Sequence, residues 1–233
     1  MAYSVLYFDP PWKFRDEKTG GNYASGASQK YPVMDLPAIT QLPVPAIAAP
    51  RAILFLWVPT TMKFSHGGAV LAAWGFRYVT TVYWTKTKMG MGHWFRNVVE
   101  ELLVAERGGY PALYCQRKNH LTLPAGEHSE KPEEFRRLIE AATGVTSSRH
   151  NLEGFARKRV PGWTGIGNAV TGRDIREDIK LIAQGRDVYG GTHEERIDRP
   201  EHRCAVRRQS GTVPDGRSGR RTHRHRGHQV FGW

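Results

Sequence analysis

The chain has 233 residues, with 34 Lys and Arg against 22 Asp and Glu, for a formal charge of +12. That length favours one domain, with or without a tail, and its two cysteines, Cys115 and Cys204, exclude a disulfide scaffold or a Cys-rich zinc module. No run of 18 apolar residues spans a membrane and no basic, apolar leader follows Met1, so the expectation is a soluble cytoplasmic protein whose positive balance suits a polyanionic partner.

In chain order, Tyr3 to Phe8 is a short apolar run that stops at Asp9-Pro10-Pro11, which predicts a strand ending on a rigid elbow. Ala52 to Val58 is continuously apolar, as a strand buried on both faces should be. Gly68 to Trp74 reads as a short helix closed by Gly75, and Tyr78 to Trp84 as a β-branched and aromatic strand. Glu101 to Ala105 predicts another strand, ended by Gly108-Gly109. The clearest helix follows. Pro132 stands at its first position, Glu133 and Glu134 in its first turn and Gly144 beyond its end, with Phe135, Leu138, Ile139 and Ala142 forming the apolar face. Asn151 to Ala156 suggests a strand, and Ile175, Ile179 and Ile182 mark a last helix. Strands alternating with helices predict an α/β fold, a doubly wound and mostly parallel sheet.

Residues 1–184 carry a net +7 and form the expected folded domain; residues 185–233 carry a net +5 from 11 Arg and 6 acids, with no Lys. The second segment is rich in Arg, His and Gly and poor in apolar residues, so it reads as a disordered basic tail or an arm along nucleic-acid phosphates. Its histidines lack the paired spacing of a metal site, and no metal is expected.

Asp9-Pro10-Pro11-Trp12 carries the chemistry. In an open α/β sheet, ligands bind beyond the carboxyl ends of the strands, where this tetrapeptide falls. Two prolines fix φ and remove two backbone donors, so the segment offers two acceptors, the Asp9 carboxylate and the Pro10 carbonyl, beside the indole of Trp12. The exocyclic amine of a nucleobase suits that arrangement: two N–H groups meet two acceptors, and the ring stacks on Trp12. The acceptors also favour the tetrahedral nitrogen needed to attack a methyl donor, without metal or covalent intermediate. A Pro-terminated strand with a capping Asp is the structural alternative.

The tetrapeptide resembles the signature of the N6-adenine methyltransferases, a family that includes the catalytic subunit of the eukaryotic mRNA methyltransferase and many bacterial and phage DNA enzymes. The resemblance runs from about Ser4 to Ile182 through ordered segments. They include Tyr31 to Met34, Leu54 to Val58, Trp84 to Thr87, Gly92-His93-Trp94, Glu100 to Val104, His128 to Pro132, Leu152 to Arg157, Gly162-Trp163 and Gly167-Asn168. It implies a Rossmann-like sheet with the catalytic strand first, S-adenosylmethionine as donor, the adenine amino group as acceptor, and a monomer or homodimer. No Gly-x-Gly-x-x-Gly follows the first strand, which disfavours a nicotinamide enzyme.

By the same resemblance, Asp9, Pro10, Pro11 and Trp12 form the catalytic elbow, and Phe8, Asp9, Lys131, Glu153, Phe155, Arg157 and Asn168 bind the donor. Lys131 would pair with the donor's carboxylate, Phe155 and Arg157 would flank it, and Glu153 and Asn168 would reach the ribose. Tyr31 and Trp57 are stacking candidates on the substrate side, although a core role suits Trp57 equally. Lys86 and Arg96 would meet phosphates, Glu100 would orient the base, and the Gly/Ser-rich stretch from Lys13 to Lys30 would act as a lid. Three positions depart from the pattern: Gly154 stands where a bulky residue is usual and implies a packing gap, Ala169 removes a polar side chain, and Ala105 replaces a glycine. DNA is favoured over RNA because no zinc-finger or other RNA module precedes the catalytic strand. The competing reading is a non-catalytic nucleic-acid-binding partner subunit of a methyltransferase complex.

Overall fold

The structure is a computed structural model and describes residues 2–13, 33–90, 94–113, 117–126 and 130–189. Seven strands form one sheet: β1 (Tyr3–Phe8), β2 (Ala48–Val58), β3 (Arg77–Lys86), β4 (Val99–Arg107), β5 (His120–Leu123), β6 (Asn151–Gly154) and β7 (Thr164–Ile166). Their order across the sheet is β5-β3-β4-β2-β1-β6-β7. β1 pairs in parallel with both β2 and β6, and β7 extends the parallel set beyond β6. β4 runs antiparallel to both of its neighbours, β2 and β3, while β5 lies parallel to β3. The mostly parallel α/β sheet that the sequence predicts is therefore present, with one reversed strand. That reversal places the start of β4 at the same edge as the ends of the other six strands.

The helices divide between the two faces. α1 (Leu36–Thr40), α2 (Gly68–Ala73) and α5 (Ile175–Ala183) cover one face, where Ile39, Val70, Leu71, Ile175, Ile179 and Ile182 pack on Leu6, Leu54 and Leu56. α3 (Glu133–Thr143) covers the other, its Phe135 and Ile139 packing on Val5, Tyr7, Phe55 and Trp57. α3 begins one residue later than its Pro132 suggests, with Pro132 as the cap, and ends on left-handed Gly144 as expected. The approach to α2 is a π-helical turn, Lys63–Gly67, that the sequence did not signal. α1, β5, β7 and α4 (Asn168–Thr171) were also unforeseen. All four are short, and short elements carry little periodicity.

The expected end of the folded domain moves. The folded body continues past residue 184: Val188 is buried in the core, and the Tyr189 hydroxyl donates to the Gly165 carbonyl while accepting from its N–H, both at 2.8 Å. The remainder of the expected tail, residues 14–30 of the expected lid, the stacking candidate Tyr31, and the segments Gly92-His93 and His128-Ser129 lie outside the described residues.

Gly154 leaves no gap. It pairs in register with Phe8 across β1 and β6, and the Phe8 ring fills the space that a side chain at 154 would need. A Cβ there would stand 2.3 Å from a Phe8 ring carbon. The ring is also packed edge-on against Trp74, with centroids 5.1 Å apart, and has no room to retreat. Phe8 is thereby wholly buried, and its side chain is a core group, not a donor contact. Gly154→Ala is expected to lower the unfolding free energy by roughly 1–3 kcal/mol through overpacking. Phe8→Leu in the same chain should recover part of that loss, a non-additivity that denaturant titration of the two single variants and the double variant would measure.

Candidate active site

Asp9 leaves β1 at the point where the sheet changes direction, since the chain passes from β1 to β2 on one side and later returns to β6 on the other. In open α/β sheets, ligands bind outside the carboxyl ends of the strands at such a switch point. Four side chains from four separate places meet at this edge. Lys131, two residues before α3, donates to both Asp9 carboxylate oxygens at 2.9 and 2.8 Å and lies 3.3 Å from Glu100 Oε2. Glu100, at the start of β4, also pairs with Lys86 at the end of β3. The four charges cancel in a single row, Lys86–Glu100–Lys131–Asp9.

An aromatic floor supports the row. Lys131 Nζ lies 5.3 Å from the centre of the Trp57 ring, and Lys86 Nζ lies 5.0 Å from that of Trp84. Trp57 donates its indole N–H to the Tyr7 hydroxyl at 2.7 Å and packs edge-on against Phe135, 4.8 Å between centroids. Burial, joined by the Asp9 and Glu153 charges, pushes the Tyr7 hydroxyl well above its ordinary range against the opposing hydrogen bond from Trp57, so it stays neutral.

The charges shift one another in definite directions. Burial raises the Asp9 pKa; Lys131 opposes this without cancelling it, and the Arg157 charge opposes it more weakly. Glu100 goes the other way, because burial would raise its pKa but the Lys131 and Lys86 ammonium groups outweigh that and lower it. Lys131 is held protonated: burial disfavours its charge, and Asp9 and Glu100 more than compensate.

Several sequence expectations are corrected here. Trp12 is 6% exposed and donates its indole N–H to the Trp57 carbonyl at 2.9 Å, so its ring belongs to the core and offers no face to a base. Trp57 is 1% exposed and takes the core role. Glu153 is not aimed at a ribose. It sits on an interior strand and receives two hydrogen bonds from the buried Arg136 guanidinium, at 2.8 and 3.0 Å. Lys131 spends its N–H groups on Asp9 and Glu100, so an incoming carboxylate would have to displace one of them. The Pro10 carbonyl accepts from the Trp12 N–H at 2.9 Å, leaving one lone pair for a guest, and the Pro11 carbonyl is taken by the Met34 N–H at 2.8 Å.

Other candidates converge on the edge. Phe155 follows β6 with φ of 60°, a left-handed conformation rare outside glycine. Gly167, at the end of β7 with φ of 121°, passes so close that a Cβ on it would stand 3.2 Å from Phe155 Cα. The two strand exits thus bring Phe155 beside Asn168, which is exposed at the start of α4. Arg157 is exposed beyond Phe155. Arg96 is exposed in the β3–β4 connection, its Nε donating to the Gly90 carbonyl at 2.7 Å.

Sequence reasoning missed the group that holds this turn. Asp178 is fully buried, and its carboxylate accepts from the Gly167 N–H at 2.9 Å, the Thr171 hydroxyl at 2.7 Å and Arg173 Nε at 2.9 Å. Its signal was an acid within the apolar stripe of Ile175, Ile179 and Ile182. Among the described residues there is no cluster of His, Cys, Asp and Glu able to hold a metal, and no helix is long and apolar enough to cross a membrane.

The MT-A70 family description matches residues 3–169. The type II methyltransferase M.MunI of Mycoplasma sp is 31% identical over 182 residues, covering 71% of this chain and 76% of that protein. The human N(6)-adenosine-methyltransferase catalytic subunit METTL3 is 26% identical over 80% of this chain, which spans 31% of it. The human N(6)-adenine-specific methyltransferase METTL4 is 26% identical over 72% of this chain, which spans 38% of it.

The lowered pKa of Glu100 makes stability pH-dependent. Its contribution is complete above the ordinary glutamate value of about 4.3 and is lost as pH falls through the lower folded value. Glu100→Gln should therefore destabilise the protein by about 1–2 kcal/mol near neutral pH. Unfolding curves at several pH values should show that difference shrinking as the pH drops below the ordinary range.

Proposed function

Since the chain belongs to the MT-A70 family, we propose that it transfers a methyl group from S-adenosylmethionine to the exocyclic N6 amine of adenine in nucleic acid, with DNA preferred to RNA. The observation that carries this reading is the placement of Asp9 and the Pro10 carbonyl at the sheet's switch point. An ionised carboxylate has about four lone-pair sites. Lys131 engages two, so Asp9 keeps acceptor capacity for one amine N–H, and the second lone pair of Pro10 receives the other. These contacts strengthen as the nitrogen gives up its conjugation with the ring and turns tetrahedral, so they favour the transition state over bound substrate.

The residues present suit the donor. When bound, S-adenosylmethionine supplies an electrophilic methyl on a sulfonium. The Asp9 carboxylate is a fitting neighbour for that positive charge, and Phe155 offers an apolar face to the nucleoside. Asn168, exposed beside Phe155, offers both a donor and an acceptor to ribose hydroxyls. Lys131 acts on Asp9: it fixes the carboxylate's orientation and opposes the upward pull of burial on its pKa. The preference for DNA rests on the bacterial type II methyltransferase, which this chain parallels along 76% of its length against 31% for the adenosine methyltransferase subunit.

Asp9→Ala is expected to lower transfer of labelled methyl to adenine by at least about 100-fold, the scale of losing a transition-state hydrogen bond, while donor affinity by calorimetry changes much less. Adenine labelling that persists at the wild-type rate in Asp9→Ala would refute the assignment. Parallel DNA and RNA substrates test the preference.

A further inference from the structure

The connection between β3 and β4 carries an unusual surface. Met89, Trp94 and Phe95 are 73%, 94% and 86% exposed, whereas Trp12, Trp57, Trp74, Trp84 and Trp163 are all buried. Single exposed apolar side chains are ordinary; three in one short connection, two of them aromatic, mark a contact surface. The ribbon bearing them is braced. Lys86 N–H donates to the Val98 carbonyl at 2.6 Å, Gly90 N–H to the Asn97 carbonyl at 2.8 Å, and Arg96 folds back onto Gly90.

Its charge selects the partner. Between Thr87 and Val98 there is no acid, while Lys88 and Arg96 are both exposed, and the whole chain carries +12. A second copy of this chain would oppose like charges across the contact. Stacked bases flanked by phosphates meet both halves of the surface, the aromatic and the cationic.

Its position supplies the purpose. β3 ends and β4 begins at the edge that holds Asp9, and Lys86 and Glu100, one from each strand, belong to the charge row that reaches Asp9. An adenine amine inside a duplex is stacked and paired, so reaching Asp9 requires extruding the base, at a cost of a few kcal/mol. An aromatic side chain inserted beside the vacated step restores the lost stacking.

We propose that Trp94, with Phe95 beside it, forms a stacking wedge that enters duplex DNA next to the target adenine and stabilises the extruded state, with Lys88 and Arg96 on the adjacent phosphates. This rests on the adenine-methylation reading above and adds to it a duplex-opening element outside the catalytic elbow.

The test uses the full chain in a Trp233→Phe background, with linear unmethylated plasmid DNA and the same DNA after heat denaturation. Duplex DNA should quench the emission of solvent-exposed tryptophan, and Trp94→Phe should abolish that quenching while keeping methyl transfer, because phenylalanine still stacks. Trp94→Ala should reduce kcat/KM on duplex about 5- to 100-fold, the range for loss of one base–aromatic stack, and remain within about threefold of wild type on denatured DNA.

Equal losses on both substrates, quenching that survives in Trp94→Phe, or a Trp94→Ala chain whose only change is dissociation of a dimer in sedimentation would overturn the wedge. Absence of adenine methylation by the unsubstituted chain on either DNA would instead refute the underlying reading, and the quenching measurement separates the two failures.

Discussion

The ammonium of Lys131, held between the carboxylates of Asp9 and Glu100, is the contact on which the site depends. Three charged groups away from bulk water would be unfavourable without close pairing and hydrogen bonds to match. The row meets that condition by adding Lys86 at its far end, so two cations and two anions alternate. Its members come from the exit of β1, the entry of β4, the exit of β3 and the segment before α3. Only a sheet with β4 reversed puts all four on one edge. Topology and electrostatics are thus one constraint: the fold assembles the row, and the row ties three strand ends to α3.

The same arrangement moderates the effect of enclosure on the Asp9 carboxyl. Burial pulls Asp9 toward its neutral form, and Lys131 limits that pull. The aromatic floor of Tyr7, Trp57, Trp84 and Phe135 supports the ammonium from below. Trp12 closes the opposite side of the elbow by bonding to the Trp57 backbone. A tetrapeptide that reads as two acceptors with a stacking plate is therefore two acceptors with an anchor. Stacking, if the exposed hairpin supplies it, comes from a different part of the chain.

Much of this was legible locally. The apolar run at 52–58, the capped helix before Gly144 and the elbow after Phe8 each carry their signal within a few residues, and each was found where expected. What could not be read were partnerships across long separations. Lys131 and Asp9 are 122 residues apart, and nothing near either one names the other. Glu153 reads in sequence as a ribose contact because its partner, Arg136, lies on a helix whose visible signal is its apolar face. Gly154 looked like a defect for the same reason: the Phe8 ring that fills it belongs to a strand at the other end of the sequence. The resemblance to adenine methyltransferases points to the strand-exit edge as the candidate site, while the pairing of charges along that edge depends on contacts between distant segments.

Carbon-13 NMR titration of the Asp9 carboxyl, in the native chain and in Lys131→Met, tests the paired-charge account most directly. The account predicts an inflection above the ordinary aspartate value of about 3.9 in the native chain and a further upward move once the ammonium is gone. An inflection at or below the ordinary value, unchanged by Lys131→Met, would contradict it.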